Sequence, residues 1–270
     1  MYISKKYGFS LLIALICLTS CDIIPENERL LVVDNLKTVR PVLLEDFTGQ
    51  ACRNCPLAAA KAKELKSALG DNLIIVSIHA GSFATSSFRT EAGDAYQKYF
   101  YENDITGYPA GMIDRSIANG SIVSTNFSTW GTTVLNRAQL LSVPTFNLDL
   151  DVDYNTSNQS LTIKASGEAS EAVNDINIQL WLTESKIIAP QLSGDEQIRD
   201  YEHNHVLRDA INGIWGESIE MKPDNNTFNY VFSGYSLVGK SWKLQNMHIV
   251  AFLYNTSNRE VLHVIEVPLN

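Results

Sequence analysis

Asp46-Phe47-Thr48-Gly49-Gln50-Ala51-Cys52-Arg53-Asn54-Cys55-Pro56 is the stretch on which the fold turns. Before it, residues 42–47 form a short apolar run that reads as a buried strand. After it, residues 57–69 are rich in Ala, Lys, Glu and Leu, all strong helix formers, and Gly70 stands where such a helix stops. A C-x-x-C therefore sits at a strand-to-helix junction. A helix N-terminus offers unpaired N–H groups and the positive end of the dipole, which stabilise a thiolate on Cys52 and make it nucleophilic. Arg53 adds positive charge, and Cys55, one turn later, is placed to resolve a mixed disulfide. A zinc site would need further ligands, and no second C-x-x-C exists. A purely structural disulfide fits the same spacing.

Outward from that junction, strand-like and helix-like patterns alternate. Residues 73–78 are apolar and β-branched, a second strand, and 88–102 read as a helix carrying Tyr96, Tyr99 and Phe100. Tyr108-Pro109 follows, then strands at 110–116 and 121–124 around Asn119-Gly120, a hairpin signal, and a helix over about 127–142. That alternation predicts an α/β layer structure. Pro144 punctuates, and the pattern changes: Phe146, Leu148, Leu150, Val152 and Tyr154 recur at every second position. Similar runs at 161–165, 176–182, 228–232, 247–253 and 261–267 predict about seven short strands and a β-sandwich. Residues 190–216 read as a loop too long for a plain hairpin. The expected fold class is α/β plus all-β, divided at 41–143 and 144–270.

The N-terminus has a different composition. Lys5 and Lys6 precede an apolar run at 8–18, too short to span a bilayer, with the proportions of a signal-peptide core. Leu18-Thr19-Ser20-Cys21 resembles the bacterial lipobox, whose cysteine is lipidated and becomes the first residue of the mature chain. On this reading 1–20 is a signal peptide, Cys21 carries lipid, and 21–40 is a polar tether. A thioether-linked lipid with an acylated amine satisfies the two-signal requirement for stable anchoring. Cys17 leaves with the leader, so Cys52 and Cys55 are the remaining thiols. The chain of 270 residues has a formal charge of −9, and loss of Lys5 and Lys6 makes it two units more negative. With 45% hydrophobic and 19% charged residues it is globular, and with no basic run it has no electrostatic footprint for nucleic acid.

The same residues carry a resemblance. Asp46-Phe47 followed by Cys52-x-x-Cys55 resembles the thioredoxin-fold oxidoreductases, in which a buried acid lies six positions before the first cysteine. Tyr108-Pro109, a strand, Asn119-Gly120, a strand and a helix resemble the second half of that fold. The resemblance implies that Pro109 is a cis-proline facing the disulfide and that Asp46 moves the proton of Cys55; otherwise Asp46 is a strand-end surface acid. The sequence departs from the pattern in having Ala51 before the first cysteine, Arg53-Asn54 between the pair, Pro56 after it, and 81–104 as an insertion.

A second resemblance covers the whole chain. The lipobox, Phe47-Thr48-Gly49-x-x-Cys52-x-x-Cys55-Pro56, Gly107-Tyr108-Pro109 and Tyr201-Glu202-His203-Asn204-His205-Val206-Leu207-Arg208 resemble the twenty-eight-kilodalton outer-membrane-protein family. These are lipoproteins with a thioredoxin-like domain and a β-rich C-terminal domain. The resemblance implies an outer-membrane location and says little of activity.

Two functions follow as expectations. The first is thiol–disulfide exchange on envelope proteins: Cys52 attacks, Cys55 resolves, Asp46 shuttles a proton, and Arg53, Tyr108 and Pro109 contact the substrate. The second is a surface binding or adhesion lipoprotein that keeps the fold without turnover. An exposed Cys52 sulfur points to the first, a buried one to the second. No cofactor is expected. His203 and His205, at alternate positions, are expected to hydrogen-bond within a loop rather than to bind metal, since no third ligand is near in sequence, and His79 is expected to be structural. Trp181 is expected in the core, while Trp130, Trp215 and Trp242 admit carbohydrate stacking. The Asn-x-Ser/Thr triplets read as polar turns.

Overall fold

The computed structural model describes residues 40–101, 107–118, 120–139 and 145–269. The leader, Cys21, the tether up to residue 39, Asn119 and the expected boundary at Pro144 lie outside the described residues.

The first strand, β1 (Val42–Thr48), leads through the cysteine loop into α1 (Cys55–Leu69) and on to β2 (Leu73–His79). Helix α2 (Glu91–Phe100), strand β3 (Ala110–Ile113) and helix α3 (Trp130–Gln139) follow. β2 lies parallel to β1 on one side and β3 antiparallel on the other. Side chains alternate across these strands with period two. Val42, Leu44, Leu73 and Ile75 pack against Ala58, Ala62, Leu65 and Leu69 of α1 and Trp130 and Val134 of α3. Leu43, Phe47, Ile74, Val76 and Ile78 face the opposite cluster, with Ala92 and Tyr96 of α2. Helices thus cover both faces, which is why β1 and β2 read as continuous apolar runs rather than alternating ones.

Ten strands follow: β4 (Phe146–Asn155), β5 (Ser160–Ala169), β6 (Ile176–Glu184), β7 (Ile187–Ser193), β8 (Glu196–His203), β9 (Val206–Ala210), β10 (Glu217–Ile219), β11 (Thr227–Ser236), β12 (Met247–Asn255) and β13 (Val261–Pro268). They make a mixed α/β molecule that is mostly β. An eight-stranded sheet runs β13-β12-β6-β9-β2-β1-β3, with β10 added beside β6. A second sheet, β11-β5-β4, shares a core with it: Leu148, Ile163 and Phe228 pack with Leu180, Leu182 and Ile249. The large sheet crosses from the first half of the chain to the second where β9 pairs parallel to β2, at Ser77 and Val206. All the described residues fall within one compact unit.

Buried Arg115 sits at the same junction. Its guanidinium donates to both carboxylate oxygens of Glu45, at 2.9 Å each. It also lies within 5.7 Å of the ring centres of Tyr96 and Phe100 from the first half and of Trp181, Phe252 and Tyr254 from the second.

Several element boundaries differ from the sequence expectation. Helix α1 begins at Cys55 rather than 57, because Pro56 is accommodated in the first turn, where a missing N–H costs nothing. α2 starts later than 88 because Thr90 caps it, accepting from the Gly93 N–H. The strand expected at 121–124 is reduced to isolated bridges, Gly111 with Ser124 and Ala118 with Ser121. α3 begins at Trp130, after a short turn over Phe127–Thr129 capped by Asn126. Most consequentially, 190–216 is no loop but the β7–β8 hairpin followed by β9. The hairpin carries no period-two signature because the first five residues of β8 are all exposed and the ladder shifts register at Pro190. Trp181 and Trp130 are both fully buried, and Gly111 leaves room for the latter: a Cβ there would stand 2.5 Å from the indole.

Candidate redox site and adjoining cavity

Cys52 and Cys55 form a disulfide at the start of α1. The loop that presents it is clamped from both sides. The Ala51 N–H donates to the Phe83 carbonyl at 2.8 Å, and a Cβ on Gly49 would stand 2.4 Å from that same carbonyl. On the other side lies the β7–β8 hairpin. The Leu192 N–H donates to the Gln50 carbonyl at 2.8 Å and the Gly194 N–H to the Arg53 carbonyl at 2.9 Å. The Gln191 amide reaches the carbonyls of Gly49, at 3.2 Å, and Cys52, at 3.0 Å. Arg53 itself points to solvent and pairs with Asp195 at the hairpin tip. The result is that both cysteines are 2% exposed.

Tyr108 shares a buried cluster with the two cysteines and Phe47, and its ring lies 5.4 Å from that of Phe83. The Tyr108–Pro109 peptide bond is cis.

Asp46 is not a surface acid. It is 2% exposed, its Oδ1 has no hydrogen-bond partner, and burial alone pushes its carboxyl up to about 7. Asp46 and Cys55 line one cavity of ≈ 630 Å³, bounded by α1, the sheet and the hairpin and open to solvent at its rim. Histidines 79, 203 and 205 line the same cavity. Burial holds His79 well below its ordinary value and takes His203 and His205 down to about 4, so all three are neutral near pH 7. The backbone at Ala189 and Pro190 opposes that shift at His203. The strand does not continue to His205: β8 ends at His203, and His205 turns with φ 55° to place its carbonyl on the Ser77 N–H at 2.8 Å. Among the described residues no three His, Cys, Asp or Glu side chains stand close enough to hold a metal ion.

The structure therefore brings Asp46, Cys52, Cys55, Arg53 and Tyr108 into one neighbourhood. Gln191 and Asp195 were not foreseeable: each meets the cysteine loop across about 140 residues of chain, and neither lies in a patterned segment.

Comparisons with known proteins bear on this architecture. Curated proteins give no match. Among solved structures, HBP35 of Porphyromonas gingivalis superimposes with a TM-score of 0.72 at 13% identity, covering 86% of this chain and 76% of its own; that likeness speaks for the fold alone. A domain of the outer membrane lipoprotein Omp28 from Porphyromonas gingivalis is 26% identical over 48% of this chain and 91% of its own, with a TM-score of 0.32. The family described as Outer membrane protein Omp28 matches residues 93–270, a stretch that begins after the cysteine pair and takes in Tyr108, Pro109 and the whole hairpin. The chain belongs to the Omp28 family of outer membrane proteins.

Proposed function

We propose that this is a lipid-anchored outer-membrane protein, held through Cys21, whose thioredoxin-like domain at 41–143 exchanges disulfides with envelope proteins. A β-sandwich domain at 144–270 completes it and supplies the hairpin over the site. The observation that carries this reading is Asp46: an unpartnered buried carboxyl, protonated to a large extent near neutral pH, on the cavity wall it shares with Cys55. In the exchange, a substrate thiolate attacks the Cys52 sulfur and the bond to Cys55 breaks. Cys55 leaves as a thiolate and takes the proton of Asp46. The second substrate thiolate then attacks the substrate sulfur of the mixed disulfide, and Cys52 leaves as a thiolate at the helix N-terminus. The substrate loses two electrons and the cysteine pair gains them; the reverse sequence reduces a substrate disulfide. Arg53 supports the Cys52 thiolate, and Tyr108 with Pro109 forms the edge that receives the substrate backbone.

One observation favours a second reading, a binding lipoprotein without turnover: Cys52 is as buried as Cys55 beneath the hairpin. Exchange requires the hairpin to lift. Trapping separates the two. In Cys55→Ser the mixed disulfide on Cys52 has no resolving thiol, so incubation with an envelope extract accumulates Cys52-linked adducts detectable by mass spectrometry. No adducts, together with a Cys52 that resists alkylation in the native reduced protein, assigns the molecule to binding.

A further inference from the structure

The cavity behind the disulfide contains more than exchange uses. Two buried polar atoms on its wall have no partner, Asp46 Oδ1 and His203 Nε2. Buried polar atoms without a protein partner are the atoms of this wall available to a ligand. His79 adds a third acceptor. Gln50 Oε1 accepts from the Thr85 N–H, so the His79 Nδ1 in contact with that oxygen is the donor and its Nε2 keeps a free lone pair.

The titratable groups around Asp46 are Tyr101, Tyr108 and Tyr201, uncharged near neutral pH, so a carboxylate there faces no cation from the protein. Lys66 and Lys63 also line the cavity; Lys66 is engaged by the Leu73 carbonyl at 2.7 Å, Lys63 is exposed, and neither ammonium shifts the Asp46 carboxyl. The rest of the wall is mixed, with Ala59, Ala62 and Ile75 beside Thr48, Ser67 and Ser77. At ≈ 630 Å³ the space has the volume of a small-molecule site.

An acceptor-lined end with an unpaired buried carboxyl, next to the small apolar side chains Ala59, Ala62 and Ile75, selects a ligand that donates hydrogens, carries positive charge and has a short hydrophobic body. We propose that this cavity binds a primary ammonium group on a short apolar body, an alkyl- or arylalkylamine, with the ammonium donating to Asp46 and His203. A carboxylate at that end would face the Asp46 carboxyl and the His203 Nε2 acceptor. A hydroxyl would supply a single hydrogen. The proposal goes beyond the exchange reading and is tested on the oxidised protein, which has no free thiol at the site, so its failure leaves exchange untouched.

The test is calorimetric titration of the oxidised full-length protein at pH 8 with phenethylamine, its isostere 2-phenylethanol, and 3-phenylpropanoate. Phenethylamine is expected to bind at least tenfold more tightly than the alcohol, and the carboxylate not at all. Asp46→Asn is expected to weaken the amine at least tenfold and leave the alcohol within about twofold. In the unmutated protein, the Nε2 ¹⁵N resonance of His203 should move as the amine is added. Equal affinity for amine and alcohol, absence of amine binding, an unchanged amine affinity in Asp46→Asn, or a stationary His203 resonance overturns the proposal.

Discussion

Asp46 ties local chemistry to stability through one proton. Its folded-state carboxyl is held at about 7 against an ordinary value of 3.8. The folded chain therefore binds a proton that the unfolded chain releases from about pH 4 upward. Stability from this group is fully present below about pH 4 and falls as pH rises to about 7, then levels. The shift corresponds to roughly 4 kcal/mol between the two limits. Asp46→Asn keeps the shape and removes the titration, so it should match the parent near pH 4 and exceed it by a few kcal/mol at pH 8. Urea unfolding of both proteins at the two pH values checks this; an unchanged difference between pH 4 and 8 would contradict it. The place of Asp46 was suggested by the resemblance to thioredoxin-fold oxidoreductases, beside the alternative of a strand-end surface acid. Its isolation was not, because an unpartnered carboxyl is defined by what stands around it, here tyrosines and histidines drawn from the end of α2, the turn before β3, β2 and β8.

Among the elements, the β7–β8 hairpin decides access to the disulfide. It is held to the cysteine loop by two backbone hydrogen bonds and the Gln191 amide, while the Arg53–Asp195 pair is exposed and contributes little. Gln191→Ala leaves the Gly49 and Cys52 carbonyls without that donor, at a cost of about 1–3 kcal/mol. It should speed reduction of the disulfide by dithiothreitol several-fold, whereas Asp195→Ala should change the rate less than twofold. Alkylation of released thiols with time provides the measurement. Elements differ in how much of them can be read in advance. β1, α1 and β2 announce themselves: Leu43 and Leu44 go to opposite cores, and the small residues Ala58 and Ala62 let α1 lie close to the sheet. The hairpin is silent because Glu196, Gln197, Ile198, Arg199 and Asp200 are all exposed, and a strand without a buried face writes no alternation into its sequence.

At the scale of the whole molecule, the two halves are joined by a sheet, and a buried ion pair of the first half packs against aromatic rings of the second. Arg115 and Glu45 are almost fully withdrawn from water, and the guanidinium lies among aromatic rings from both halves. Removing one partner leaves an uncompensated buried charge. Arg115→Met should therefore destabilise the protein by about 3–5 kcal/mol, and the double variant Arg115→Met/Glu45→Leu should recover most of the loss. Because the guanidinium packs against rings of both halves within one core, the loss should appear as one cooperative shift in far- and near-ultraviolet circular dichroism. A single variant no less stable than the double one would refute the account. The change of pattern after Pro144 was visible in the sequence, but the shared sheet was not. The β2–β9 junction rests on Ser77 and Val206, one pair across 129 residues, and no local pattern specifies so distant a partner.

That junction also imposes an order in time. The chain is made from its N-terminus, so β2 is complete at residue 79, while the strand that pairs with its edge at Ser77 ends at residue 210. At ordinary synthesis speeds the interval is roughly ten seconds. Throughout it, the backbone groups along the free side of β2 form an open template for any other extended chain. Nascent molecules crossing the envelope thus pass through a sticky stage with a defined beginning and end, and fragments cut short before Val206 never leave it.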